Sequence, residues 1–341
     1  MDDFPEAASS GTPFSGTAVS GTSISGTPIS GTPISGTSAS GTALSGLGTL
    51  LSDVRVDPGA RSARVGERHI GADTAGQLRQ KLISALYEEL HVGNVFAEER
   101  PRTYRDPWIE EQLREATPHD TTTATALPGT DGVVTVDGVR VRVPGAEATG
   151  TRVRMPAQRP GLSPGFFLVD GSRGHSASRP LLRLYVHLRT PEEAVRVWGD
   201  VLRTLEHHEL LYRAKVTSSR RLFPRRDGLV VYLGEDAWHA VPLVTNAVSR
   251  ADIPESPLSS SALAETLAPG IAMAWEPEDT RPGMRGMSFG QHRAAALADA
   301  LLEHAEGRRD DSLHDCLRAQ LLAANIDPES PYRNLSSPQL P

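Results

Sequence analysis

Leu181-Leu182-Arg183-Leu184-Tyr185-Val186-His187-Leu188 alternates polar and apolar side chains residue by residue. On a strand, Arg183, Tyr185 and His187 would share one face, and Leu184, Val186 and Leu188 the other. Reading forward, Pro191–His208 has the helical period, with Ala194, Val195, Val197, Trp198, Val201, Leu202 and Leu205 turned inward. Leu211–Thr217 reads as a second strand. Gly228–Leu233 is mostly apolar and reads as a central third. Glu235–Arg250 reads as a helix kinked at Pro242, and Pro269–Trp275 as a fourth strand. The order β-α-β-β-α-β predicts an α+β protein with a ferredoxin-like core, followed by a long helix over about Phe289–Glu306.

Reading backward, Leu78, Leu82, Ala85, Leu86 and Leu90 form one helical stripe, with Lys81 outside it in solvent. Pro107–Ala116 predicts a second helix and residues 118–130 a loop. Val133–Val136, Val139–Val143 and Thr151–Met155 predict short strands, the first two joined by the turn Asp137-Gly138. Leu162-Ser163-Pro164-Gly165-Phe166-Phe167 closes this part. Ahead of it, Ser10-Gly11-Thr12-Pro13-Phe14 opens a five-residue repeat that runs to about residue 46. Such a composition buries too little apolar surface to offset chain entropy, which predicts a disordered tail. The expected organisation is a tail over 1–50, a helical and small-β subdomain over 73–165, and a core over 166–335, with folding beginning near residue 73.

Composition narrows the function. A net charge of −7 argues against nucleic acid as the main partner. No apolar run is long enough to span a membrane, and the acidic N-terminus does not read as a secretory signal. The single cysteine, Cys316, excludes a disulfide framework, and no metal-ligand spacing is visible, so neither metal nor cofactor is expected. A cytoplasmic protein fits. Lysine occurs only at Lys81 and Lys215, among 35 Lys and Arg residues. Codon bias in a GC-rich genome explains the excess of arginine. A lysine that persists in such a background is still a candidate for chemistry that arginine, always protonated, cannot perform.

Four groups of residues carry that chemistry. Arg213 and Lys215 alternate on one strand face and repel unless an anion lies between them. The run Arg220-Arg221-Leu222-Phe223-Pro224-Arg225-Arg226-Asp227, read as a loop, offers guanidinium forks for phosphate oxygens, one of them oriented by Asp227. Ser288 and Gln291 have capping-box spacing, which puts His292 and Arg293 in the first turn of a helix, where anions are favoured. Arg183, Tyr185 and His187 extend the cationic surface if their strand lies near that of Lys215. Each group has a plain alternative: a solvated sheet face, a basic surface loop, or an ordinary helix cap.

Taken in order, Leu181–Tyr185, Tyr212–Val216, Arg225–Leu233, Leu267–Ile271 and Ser288–Arg293 resemble the Hop-type effector-like proteins, named for a plant-pathogen type III effector and found in peptide natural-product clusters. The resemblance spans roughly residues 75–335, and the Ser-Gly-Thr repeats are not part of it. It implies a lyase that works in class V lanthipeptide and thioamitide pathways beside a kinase resembling aminoglycoside phosphotransferases. The kinase phosphorylates Ser or Thr of a leader-bearing precursor peptide, and the lyase eliminates the phosphate to leave a dehydroamino acid. For such a reaction Lys215 is the candidate base, a role that requires an uncharged amine. His292 is the candidate acid, with His187 in reserve. Arg213, Arg226, Arg293 and Arg183 are candidate phosphate ligands, and Tyr185 and Asp227 support them. Two other functions fit the same residues: a noncatalytic precursor-binding or cyclisation partner of the kinase, and an effector acting on a host or competitor protein.

Overall fold

The structure, a computed structural model, describes residues 42–93, 106–127, 133–136, 138–142, 152–159, 162–176, 179–249, 259–307 and 311–340. Most of the repeat lies outside these residues. The described structure begins with helix α1 (Thr42–Leu50), well before residue 73. Leu44, Leu47 and Leu51 are buried, because the apolar end of the repeat has a core to pack against. A three-stranded antiparallel sheet follows: β1 (Arg55–Asp57), β2 (Ser62–Val65) and β3 (Arg68–Gly71). Helix α2 (Ala75–Leu86) buries the expected stripe, is capped by Thr74, and continues as a π-helical turn over Tyr87–Val92. Lys81 is exposed, as its position predicts.

Helix α3 spans Pro107–Ala116, the predicted range. The expected loop at 118–130 instead contains β4 (Thr121–Thr125), which pairs with β7 (Arg152–Pro156). Between them β5 (Val133–Val136) and β6 (Val139–Arg142) form the predicted hairpin, with Gly138 at a positive φ of 77° and Asp137 outside the described residues.

The remaining strands make one six-stranded antiparallel sheet. They are β8 (Phe166–Asp170), β9 (Leu182–Leu188), β10 (Tyr212–Thr217), β11 (Arg225–Leu233), β12 (Glu265–Ala268) and β13 (Ile271–Trp275), in the order β12-β13-β9-β11-β10-β8. Four strands were expected. The two additional ones occupy the edges, and Phe166–Asp170, read as the close of the N-terminal part, pairs with β10. Strand β11 starts at Arg225, inside the arginine run that reads as a loop, and its register shifts between Arg225 and Leu229. Gly228 permits this: a Cβ there would stand 2.8 Å from Leu188 Cβ.

Helices divide between the two faces. Helix α4 (Pro191–His207) and α5 (Val241–Ser249) pack with Leu184, Val186, Ala214, Val216, Leu229 and Val231. The predicted kink at Pro242 is the point where a 3₁₀ turn over Glu235–Ala240 becomes α5, and the expected end at Arg250 lies outside the described residues. On the other face, α6 (Phe289–Glu306) and α7 (Leu313–Ala323) join α1 and α2 over Tyr185, Val230 and Ala274. The polar face of β9 is therefore not a solvated surface. A helical layer covers it, and the cover thins toward β10 and β8. Among the described residues no helix is long and apolar enough to cross a membrane.

Candidate functional site

The pairing register fixes what shares the face of Lys215. Arg213 lies opposite Tyr232 and Lys215 opposite Val230, and those in turn lie opposite Arg183 and Tyr185 on β9. On the other side, Asp170 and Leu168 of β8 lie opposite Arg213 and Lys215. Directly paired residues project to one side of a sheet, so Arg183, Tyr232, Arg213, Lys215 and Asp170 converge across four strands. All but the fully buried Asp170 line a pocket of about 560 Å³, whose wall also includes Ser163, His175 and Glu276.

Its charges are graded. Asp170, fully buried, accepts from Arg213 Nε at 2.6 Å and Arg159 Nε at 2.8 Å, and lies 3.3 Å from His175 Nδ1. Burial alone would raise the Asp170 carboxyl, but the hydrogen bond and charge of Arg213 hold it below the usual carboxylate range. Arg183 is buried against Glu276 and stacks on Tyr232, 5.0 Å from its centroid. Lys215 differs from both arginines. Its Nζ lies 3.4 Å from Ser163 Oγ and 4.5 Å from the centre of the Phe166 ring, and among the described residues no salt bridge pairs it with a carboxylate. With Arg179, the pocket wall gathers Arg183, Arg213 and Lys215 against Glu276, and Asp170 lies buried behind Arg213, which leaves an excess of positive charge. An anion is the ligand such a wall favours.

A second group adjoins it. Arg225 grips Asp227 through two parallel bonds of 2.8 and 2.9 Å, so Asp227 does orient an arginine, though not one proposed as a phosphate ligand. Tyr87 accepts from Arg225 at 3.3 Å, and His91, from the π-helical turn, lies 3.9 Å from Asp227 Oδ2. Burial pushes His91 down to about 4. Asp227 would rise on burial, but Arg225 brings it to about 2, with smaller help from His91 and Lys215. Gly290 makes this packing possible, since a Cβ there would lie 2.4 Å from His91 Cδ2.

Several predicted residues sit elsewhere. Ser288 and Gln291 do form the capping box that starts α6. His292 and Arg293, however, are fully buried rather than open to an anion. His292 donates from Nε2 to Asp279 at 2.9 Å and accepts at Nδ1 from Arg293 at 2.8 Å, and burial takes it down to about 4. Arg293 also donates to the carbonyls of Pro331 and Arg333, and burial takes it down to about 9. This pair clamps the C-terminal segment. Arg226 turns away to the Glu89 carbonyl and Ser259, at 2.9 and 3.0 Å. His187 lies 2.9 Å from the Ser259 carbonyl and does not line the Lys215 pocket. Tyr185 is buried against His91 and Phe289, its hydroxyl beside Arg183.

The structure thus brings together Lys215, Arg213 and Arg183 in one pocket wall and leaves His292, Arg293, Arg226 and His187 out of it. It adds Asp170, His175, Ser163, Tyr232 and Glu276, which sequence reasoning missed. Tyr232 alone had a readable signal, because it alternates with Val230 on the strand of Asp227. Among the described residues, no group of His, Cys, Asp and Glu side chains could hold a metal ion.

Residues 157–333, more than half of the chain and the whole of the large sheet, match the sequence profile of the HopA1 effector protein family. The chain belongs to that family. Solved structures with similar folds include the effector protein from Pseudomonas syringae pv. tomato strain DC3000. That protein is 13% identical, with a TM-score of 0.48, over 86% of this chain and 96% of the other. A second is the effector protein from Pseudomonas syringae pv. syringae strain 61, 13% identical with a TM-score of 0.44, over 75% of this chain and 95% of the other. No curated protein matches the sequence. The HopA1 match leaves α1 to α3 and strands β1 to β7 outside its bounds.

Proposed function

We propose that this HopA1-family chain is a phosphoserine/phosphothreonine lyase that acts on a kinase-phosphorylated precursor peptide in lanthipeptide-type biosynthesis. The observation that carries the reading is the Lys215 amine. It stands in an anion-favouring pocket beside two arginines that carboxylates hold in place, while among the described residues it has no carboxylate partner of its own. In the reaction Lys215 takes the Cα proton, and the electron pair forms the Cα=Cβ bond. The Cβ–O bond breaks, and phosphate leaves with its electrons and a proton. Arg213 and Arg183 hold the phosphate oxygens. His175, beside Asp170, supplies the proton in place of the buried His292. No metal or cofactor is part of this scheme. For the fold, we read β13-β9-β11-β10, with α4 and α5 as crossovers, as a ferredoxin-like core extended at both edges; the strand order supports this.

The partner we propose is an aminoglycoside-phosphotransferase-like kinase, acting in the cytoplasm on the same precursor. Mass spectrometry of precursor plus kinase tests the reading: a product about 80 Da heavier without this protein becomes one about 18 Da lighter than the starting peptide with it, as phosphate addition and water loss require. Persistence of the phosphopeptide with active kinase and folded protein rejects it. The family's description as effectors favours a second reading, the same elimination on a phosphorylated protein of another organism. Activity on a phosphoprotein and none on any precursor peptide would select it.

A further inference from the structure

A second chamber of about 540 Å³ opens beside the Lys215 pocket. The two share Gly286 in their walls, and successive residues of one loop serve them, Ser163 the first and Pro164 the second. The ring of Phe166, in the wall of the second chamber, lies close to both cations: its centre is 4.5 Å from Lys215 Nζ and 5.0 Å from Arg225 Cζ.

The chambers differ in electrical character. In the second, the buried charges are compensated locally, Arg225 by Asp227 and Glu88 by Arg68, and Arg285 stands exposed. Gln80, Ser84 and Tyr87 line it at the i, i+4, i+7 spacing of one helical stripe, and Ile83, Leu222 and Met287 give it apolar wall. With its buried charges paired, and Arg285 the one exposed cation of its lining among the described residues, the interior of this chamber does not call for a second phosphate. It suits a neutral group with an apolar side chain and a backbone amide that Gln80 and Ser84 can hydrogen-bond.

We infer that this chamber is a specificity subsite, which receives the apolar residue next to the phosphorylated Ser or Thr of the peptide. The inference rests on the lyase reading for the contents of the first pocket, and its test separates the two. Two synthetic phosphothreonine nonapeptides, one with leucine and one with aspartate flanking the phosphothreonine on both sides, are compared by calorimetric binding and by elimination kinetics. The leucine peptide should bind about tenfold more tightly, in line with burial of one aliphatic side chain. Ser84→Trp, which fills the chamber, and Gln80→Trp, at an exposed position on its wall, should each cut that ratio below about twofold. Gln80→Trp keeps the test valid if Ser84→Trp misfolds. Equal binding of the two peptides by the unaltered protein, or a ratio that both folded variants preserve, overturns the subsite. Selective binding without elimination supports the subsite while rejecting the lyase. Elimination without selectivity does the reverse.

Discussion

Lys215 with Arg213 and His292 with Arg293 look alike in sequence: a pair of basic residues where an anion would be welcome. In the fold they are opposites. Arg293 gives its hydrogen bonds to Pro331, Arg333 and Asn334, and both nitrogens of His292 are engaged by Asp279 and Arg293. The Lys215 amine has one long contact to a hydroxyl and two aromatic neighbours. Saturation by the chain's own acceptors turns a cationic cluster into a structural clamp, and incomplete saturation leaves it able to take a ligand. Basic composition alone does not distinguish the two outcomes.

The sharpest way to break this comparison is to remove the amine. Lys215→Ala should cut elimination from a kinase-treated peptide by ~10²–10⁴-fold, the range for a placed base, with little change in the unfolding midpoint. Lys215→Arg should fail equally, and an active Lys215→Arg protein would favour the binding-partner function. The clamp should respond the other way. Asp279→Asn or Arg293→Met should lower unfolding free energy by about 1–3 kcal/mol in denaturant titration, the cost of leaving the clamp's buried hydrogen-bonding groups unsatisfied.

The buried imidazoles add a pH signature. His91 and His292, at about 4, stay neutral in the fold, whereas the unfolded chain takes up protons near 6.5. The unfolded state therefore binds more protons between those values. Their contribution to stability is fully present above pH 6.5 and is lost as pH falls toward 4, by a few kcal/mol in all. A denaturation midpoint that stays flat over that interval would contradict the closed clamp. Smallest of all, Lys81→Arg should change stability by under about 0.5 kcal/mol and leave elimination unaltered, because Lys81 is an exposed helix residue that lines neither chamber.

Much of the fold was legible because its signals are local. The alternation at Leu181–Leu188, the stripe of Pro191–His207 and the capping box at Ser288 each settle an element within a few residues. What failed depends on distant partners. Phe166–Asp170 is a strand of the large sheet only because β10 lies alongside. The burial of Arg293 requires carbonyls about forty residues away, and a capping box says where a helix starts but not what covers it. Helix α7 did carry a local signal, since Ser312 and Asp315 form a capping box of their own, but its apolar stripe is short. Within the site, the shared face of Arg213 and Lys215 could be read from spacing. Glu276 and Asp170 could not, since each reaches its arginine across a strand pairing that no local pattern encodes.

The π-helical turn at Tyr87–Val92 has a consequence for how such proteins diversify. It belongs to the stretch upstream of the family match, yet with α2 it walls the balanced chamber, whereas the residues beside the amine all come from the region matched by the family. The balanced chamber is thus built jointly, from this upstream stretch and from matched residues such as Phe166, Leu222 and Met287. On the proposed lyase and subsite readings, exchanging the leading segment between relatives should alter which flanking residue is preferred and leave the Lys215 pocket unchanged.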